Sequence, residues 1–163
     1  MTATGPPRSA AADGPALPQA RAPLPQPDDR PLVLFDGVCN LCNNSVTFVI
    51  GRDPEAKVRF AAVQSAPGRT RLAALGLPLD TYESFVLIDG GRAYYKSTAA
   101  LRLLRHLRQP WPWLAVARII PRILRDPLYD LIARNRYRWF GKRDACMVPT
   151  PDVKARFLDG DFV

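Results

Sequence analysis

Leu32-Val33-Leu34-Phe35-Asp36-Gly37-Val38-Cys39-Asn40-Leu41-Cys42 is the stretch from which the rest of the chain is best read. Its first four residues form a continuous apolar run between Pro31 and Asp36-Gly37, the pattern of a central strand covered on both faces. Asp36 to Cys39 then reads as the turn leaving that strand. From Cys39 to Ile50 the apolar positions Leu41, Cys42, Val46, Val49 and Ile50 recur at helical spacing, and Gly51 stands where a C-cap glycine belongs.

Working outward, Val58 to Val63 predicts a second strand and Pro67 to Leu75 a helix closed by Gly76, which together complete a parallel crossover. Phe85 to Ile88, the turn Asp89-Gly90-Gly91 and Ala93 to Tyr95 predict an antiparallel hairpin, because Asp-Gly and Gly-Gly supply the positive φ angles of tight turns. Ser97 is placed to cap a helix over Thr98 to Leu107, with Ala100, Leu101, Leu104 and Leu107 facing inward. The order βαβαββα defines an α/β fold with a mixed sheet flanked by helices. Two further helices are expected, Trp113 to Leu124 and Pro127 to Phe140, the second with Asp126 at its N-cap and Gly141 at its end. Leu128, Leu131, Ile132, Asn135 and Trp139 share one face of that last helix, which predicts packing, with the arginines turned to water.

The chain has 163 residues, enough for one compact domain. Eight of its 17 prolines fall within the first 31 residues, among alanines and polar residues that bury too little surface to offset their ordering entropy. Residues 1–30 are therefore expected to be a disordered tail. The folded domain is expected over 31–157, with a helical C-terminal extension from about 112. No apolar run approaches the roughly 18 residues of a membrane span, because Arg118 and Arg122 interrupt the best stretch, and no secretory leader is readable behind Met1. A cytoplasmic location is expected. The net charge of +8 is concentrated between Arg92 and Arg143, where Asp126 and Asp130 are the acidic residues. Such a field suits anionic partners and says nothing about chemistry.

Cys39 and Cys42 carry the chemistry. A sulfur at the first turn of a helix meets unpaired backbone N–H groups and the positive end of the helix dipole, which stabilise a thiolate. Cys39 is the predicted nucleophile. Cys42, one turn inward, is placed to attack a mixed disulfide at Cys39 and close an intramolecular bond. Asp36 either caps the helix or accepts the proton that Cys42 loses, and the second role requires a carboxyl pKa raised by burial. Cys146 is either a third redox thiol or a small apolar side chain.

Asp36-x-x-Cys39-x-x-Cys42 after a buried strand, with the later Asn135-Arg136-Tyr137-Arg138-Trp139-Phe140-Gly141-Lys142-Arg143-Asp144-x-Cys146, resembles the DCC family of predicted thiol-disulfide oxidoreductases over about Leu32 to Cys146. The resemblance implies a thioredoxin-like fold and exchange of electrons between the Cys39/Cys42 dithiol and a protein or small-molecule disulfide. It implies no cofactor beyond the redox-active Cys39–Cys42 pair. The partners implied are a disulfide-bearing protein or small thiol and a separate electron donor. Glu83-Ser84 stands where ordinary thioredoxins carry a cis-proline, and Asn40-Leu41 replaces their common Gly-Pro, so neither potential nor direction of transfer carries over.

Three rival chemistries share some of these residues. Zinc held by Cys39, Cys42 and Cys146 with His106 or Asp36 lacks the usual second ligand pair, and His106 is expected in solvent beside Arg102 and Arg105. A haloacid-dehalogenase-type phosphatase needs a second aspartate where Val38 stands. The remaining alternative is a binding module, in which basic helices grip nucleic acid or another anionic partner and the cysteines are structural or bind zinc. No nucleic-acid-binding signature accompanies those helices.

Overall fold

The computed structural model describes residues 29–78, 85–142 and 150–158. The tail before residue 29, Glu83-Ser84 and Cys146 lie outside the described residues.

The elements in chain order are β1 (Leu32–Phe35), α1 (Asn40–Ile50), β2 (Arg59–Ala62), α2 (Ala66–Ala74), β3 (Val86–Asp89), β4 (Arg92–Tyr95), α3 (Lys96–Leu103), 3₁₀ segments at Leu104–His106 and Trp111–Ile119, α4 (Arg122–Phe140) and α5 (Pro151–Lys154). They build a mixed sheet of order β2-β1-β3-β4. β1 runs parallel to β2, with Val33 opposite Phe60, and antiparallel to β3, with Val33 opposite Leu87. The crossover and the hairpin are those expected, and Gly90 (φ 57°) and Gly91 (φ 73°) make the two-residue turn between β3 and β4.

Alternation along β1 divides the core. Val33 and Phe35 face α1 and α3, where Val46, Val49, Ala99 and Leu103 close over them together with Phe157 from beyond α5. Leu32 and Leu34 face the other way, onto Leu72 of α2 and Leu77. All four β1 side chains are buried, which is why the run lacks polar residues. Each such burial contributes about 1.5–3 kcal/mol. The core reaches to Phe157, whose ring lies 5.5 Å from that of Phe60, and the Phe60 N–H donates to the Arg156 carbonyl at 2.8 Å.

The last third departs from the sequence expectations. Trp113 to Leu124 is not one helix: the 3₁₀ segment ends at Ile119, and Ile120 turns extended (ψ 127°) because Pro121 disfavours a helical residue before it. The next helix starts at Arg122, so Asp126 is not its cap, and Pro127 lies within it. That turn is fastened to α3, since Ser97 donates to Asp126 and Arg125 donates to the Thr98 hydroxyl at 3.1 Å. Ser97 consequently lies inside α3 rather than at its cap. The face expected to pack is largely open: Leu128, Leu131 and Trp139 are all exposed. His106 is not free in solvent, because its Nε2 lies 3.1 Å from Asp89 Oδ2 at the end of β3.

Candidate functional site

Asp36 follows Phe35, the last residue of β1, and Asn40 begins α1, so Asp36 to Cys39 form a tight four-residue connection. Asn43, fully buried, clamps that connection: its Nδ2 donates to the Gly37 carbonyl at 2.7 Å and to the Cys39 carbonyl at 3.0 Å. Cys39 occupies the N-cap with extended backbone (φ −84°, ψ 121°), and its Sγ accepts the amide N–H of Cys42 at 3.4 Å. A sulfur thus fills the position usually held by a serine or aspartate oxygen, with the helix N-terminus behind it. Asp36, one of whose expected roles was that cap, instead accepts the Val38 N–H within the turn.

Both cysteines are free thiols, and their surroundings differ. Cys39 is fully buried. It bridges to Lys142 backbone to backbone, and the neighbouring Asn40 donates its N–H to the Gly141 carbonyl (3.4 Å) and its Nδ2 to the Phe140 carbonyl (2.8 Å). The end of α4 and the two residues after it therefore lie as a strap against the backbone at Cys39 and Asn40, beside the buried first thiol. Cys42 is half-buried and lines a cavity of about 480 Å³ between α1, the sheet, α3 and α4. Phe35, Phe48, Phe60, Phe85, Leu103 and Ile132 make most of its wall apolar, while Asp36 and Arg136 supply charge. Burial is the first cause that pushes the Cys42 thiol well up, followed by its interactions with Cys39, against a downward pull from Arg136.

Asp36 sits at the centre of a buried polar knot. Oδ1 accepts from Gln64 Nε2 at 2.7 Å and from the Val38 N–H at 3.1 Å. Oδ2 accepts from Arg136 Nη2 at 3.1 Å and from the Tyr137 hydroxyl. Burial alone would raise the carboxyl pKa, but the bonds from Tyr137, Gln64 and Val38, together with the Arg136 charge, hold it below its ordinary value. The raised pKa required for the proton-acceptor role is thus not present in this dithiol state. Tyr137 is pushed up to about 12, first by burial and then by its bond to Asp36, so its phenol keeps its proton.

Arg136, Tyr137 and Gln64 join the site through bonds to Asp36 that the sequence pattern does not indicate. Arg136 lies 100 residues from Asp36, and no local pattern joins them. The available signal is positional, because Arg136 and Tyr137 fall in the conspicuous run from Asn135 to Lys142, whereas Gln64 carries no such signal. Among the described residues, no group of three or more His, Cys, Asp or Glu side chains gathers in a way suited to hold a metal ion.

A mixed sheet whose central strand leads through Asp36 into a helix opening on Cys39-x-x-Cys42 places the molecule among α/β proteins of thioredoxin-like architecture that carry a paired thiol. The family model for DCC1-like thiol-disulfide oxidoreductases matches residues 33–142, and the chain belongs to that family. It is 50% identical over 127 residues to the uncharacterized protein YuxK of Bacillus subtilis (strain 168), covering 78% of this chain and 93% of that protein. It is 43% identical over 120 residues to a DCC family protein of Arabidopsis thaliana described as chloroplastic, covering 73% of this chain and 70% of that one. No solved structure matches.

Proposed function

We propose that the protein exchanges electrons between the Cys39/Cys42 dithiol and a disulfide, using no cofactor beyond the two sulfurs, in the cytoplasm. The observation that carries this reading is the Cys42 N–H directed at Cys39 Sγ at the start of α1, with Cys42 one turn on beside an apolar cavity. The Cys39 thiolate attacks one sulfur of the substrate disulfide, the other sulfur leaves as a thiol after taking up a proton, and a mixed disulfide remains. Cys42 then loses its proton and attacks Cys39 Sγ. The second substrate thiol is released, and a Cys39–Cys42 disulfide holds the oxidised equivalent. Two electrons have passed to the substrate; the reverse sequence oxidises a dithiol partner. Attack by Cys39 requires the strap at Phe140 to Lys142 to lift, whereas Cys42 already faces the cavity. Asp36 acts as a positioning residue that holds Arg136 beside Cys42. The apolar cavity favours substrates that present an apolar group next to the disulfide.

The test is trapping. Cys42→Ser should accumulate mixed disulfides that dithiothreitol releases, and Cys39→Ser should accumulate none and turn over no substrate. If the native protein fails to cycle reversibly between two free thiols and a disulfide under dithiothreitol and oxidant, and Cys42→Ser yields no adducts from cells, the proposal is wrong.

A further inference from the structure

We infer that the face formed by the 3₁₀ segment Trp111–Ile119 and by α4 docks the protein on the surface of an anionic lipid membrane. This goes beyond the dithiol reaction and stands independently of it. Trp113, Ile119, Ile123, Leu124, Leu128 and Leu131 are between 51% and 81% exposed, although they follow one another in a single stretch of chain. Scattered exposed apolar residues are ordinary, but a run of large ones marks a surface that meets something other than water. Leu124, Leu128 and Leu131 repeat at i, i+4 and i+7 and so share one side of α4.

The charges on this face select the occupant. Arg118, Arg122, Arg134 and Arg138 are exposed beside the apolar side chains. The acidic residues of the same stretch are engaged elsewhere: Asp126 accepts from Ser97, and Asp130 pairs with Lys96 at 2.9 Å. Arg102, Arg105 and Arg125 also lie near enough to act electrostatically on Arg118. The outward field is therefore positive. A second copy of the chain would set arginine against arginine. Residues 1–28 offer Leu17 and Leu24 as their aliphatic side chains of leucine size, too few to cover the patch. An anionic bilayer satisfies both features, taking aliphatic side chains and tryptophan at the headgroup boundary while its phosphates meet the arginines. The attachment is peripheral, since no helix among the described residues is long and apolar enough to cross a membrane.

The experiment is co-sedimentation of the full chain with vesicles of phosphatidylcholine alone and of phosphatidylcholine with about one-third phosphatidylglycerol, with tryptophan emission as a second readout. The inference expects binding to the anionic vesicles at least tenfold tighter than to the neutral ones, a blue shift of the emission, and release by high salt. The pair Ile119→Asp and Ile123→Asp should abolish binding while circular dichroism stays unchanged, because these side chains are 81% and 79% exposed. Arg118→Gln with Arg122→Gln should weaken binding roughly twenty-fivefold, about fivefold per arginine. Equal binding to both vesicles, binding to neither, or a dimer dissociated by the aspartate pair without vesicle binding would each overturn the inference.

Discussion

Replacing Arg136 by leucine tests the buried knot on which the site geometry depends. The Arg136 and Asp36 side chains are 4% and 8% exposed and their charged atoms lie 3.1 Å apart. Removing one partner of a buried ion pair typically costs about 3–5 kcal/mol, because the other charge is left without its counterion. Here the carboxylate keeps its bonds from Tyr137, Gln64 and the Val38 amide, so the expected loss is near the lower end, about 3 kcal/mol at pH 7. The pH dependence follows from the direction of the Asp36 shift. In the native protein the folded carboxyl pKa lies below its ordinary 3.8, so its contribution is fully present above 3.8 and is lost as pH falls through the folded value. In the leucine variant burial is opposed less, and the folded pKa moves up. The variant therefore regains stability relative to the native protein as pH falls through that new value, and the gap closes by about 1.4 kcal/mol per unit of pKa difference. Urea unfolding followed by circular dichroism at pH 7, 5 and 3.5 reads both quantities. The same substitution in an Asp36→Asn background should cost much less, since no buried anion is stranded. A gap below about 1 kcal/mol at pH 7, as for a surface pair, or a gap that does not change with pH, would refute the reasoning.

Asn40→Ala removes the side-chain bond to the Phe140 carbonyl that helps hold the strap over Cys39. Alkylation of Cys39 by iodoacetamide, followed by peptide mass spectrometry, should accelerate about fivefold, as expected for the loss of one hydrogen bond of about 1 kcal/mol; an unchanged rate would mean that the strap does not limit access. Gly68→Ala sets a Cβ 1.9 Å from the Ala62 carbonyl oxygen, where α2 lies against β2. The clash is with backbone, so calorimetry should record a loss of about 1–3 kcal/mol, and a variant as stable as the native protein would show that α2 can move away freely.

Local chemistry made the first half of the fold legible. A four-residue apolar strand between Pro31 and Asp36, a helix pattern ending at Gly51 and a Gly90-Gly91 turn each constrain the backbone through their own residues, and the sheet follows from connecting them. Cys39 at a helix start was legible for the same reason. Pro127 has the pattern of a helix beginning because it follows an aspartate, whereas long-range contacts from α3 to Arg125, Asp126 and Asp130 fasten a helix that runs through it. The side of α4 that carries Leu128 and Leu131 has the periodicity of a buried face and is exposed all the same, because periodicity registers that a helix is two-sided without saying what covers the apolar side. The pairing of Asp36 with Arg136 and Tyr137 is a long-range contact that the two segments acquire only when α4 folds back over the end of β1.

That knot bears on the order of steps in the proposed reaction. Cys42 feels Arg136 as a downward influence on its pKa and Asp36 as an upward one, so the paired charges partly cancel at the sulfur. After burial, the leading influences that hold the Cys42 thiol up come from Cys39 itself, through a hydrogen bond and through charge. Both depend on Cys39 carrying a free thiol or thiolate. Once Cys39 Sγ is bonded to a substrate sulfur, it can carry neither a thiol proton nor a thiolate charge, while the Arg136–Asp36 pair remains beside Cys42. The proton on Cys42 is then held less tightly in the one state where Cys42 must attack. Before that state forms, a protonated Cys42 is a poor competitor for substrate even though it faces the cavity.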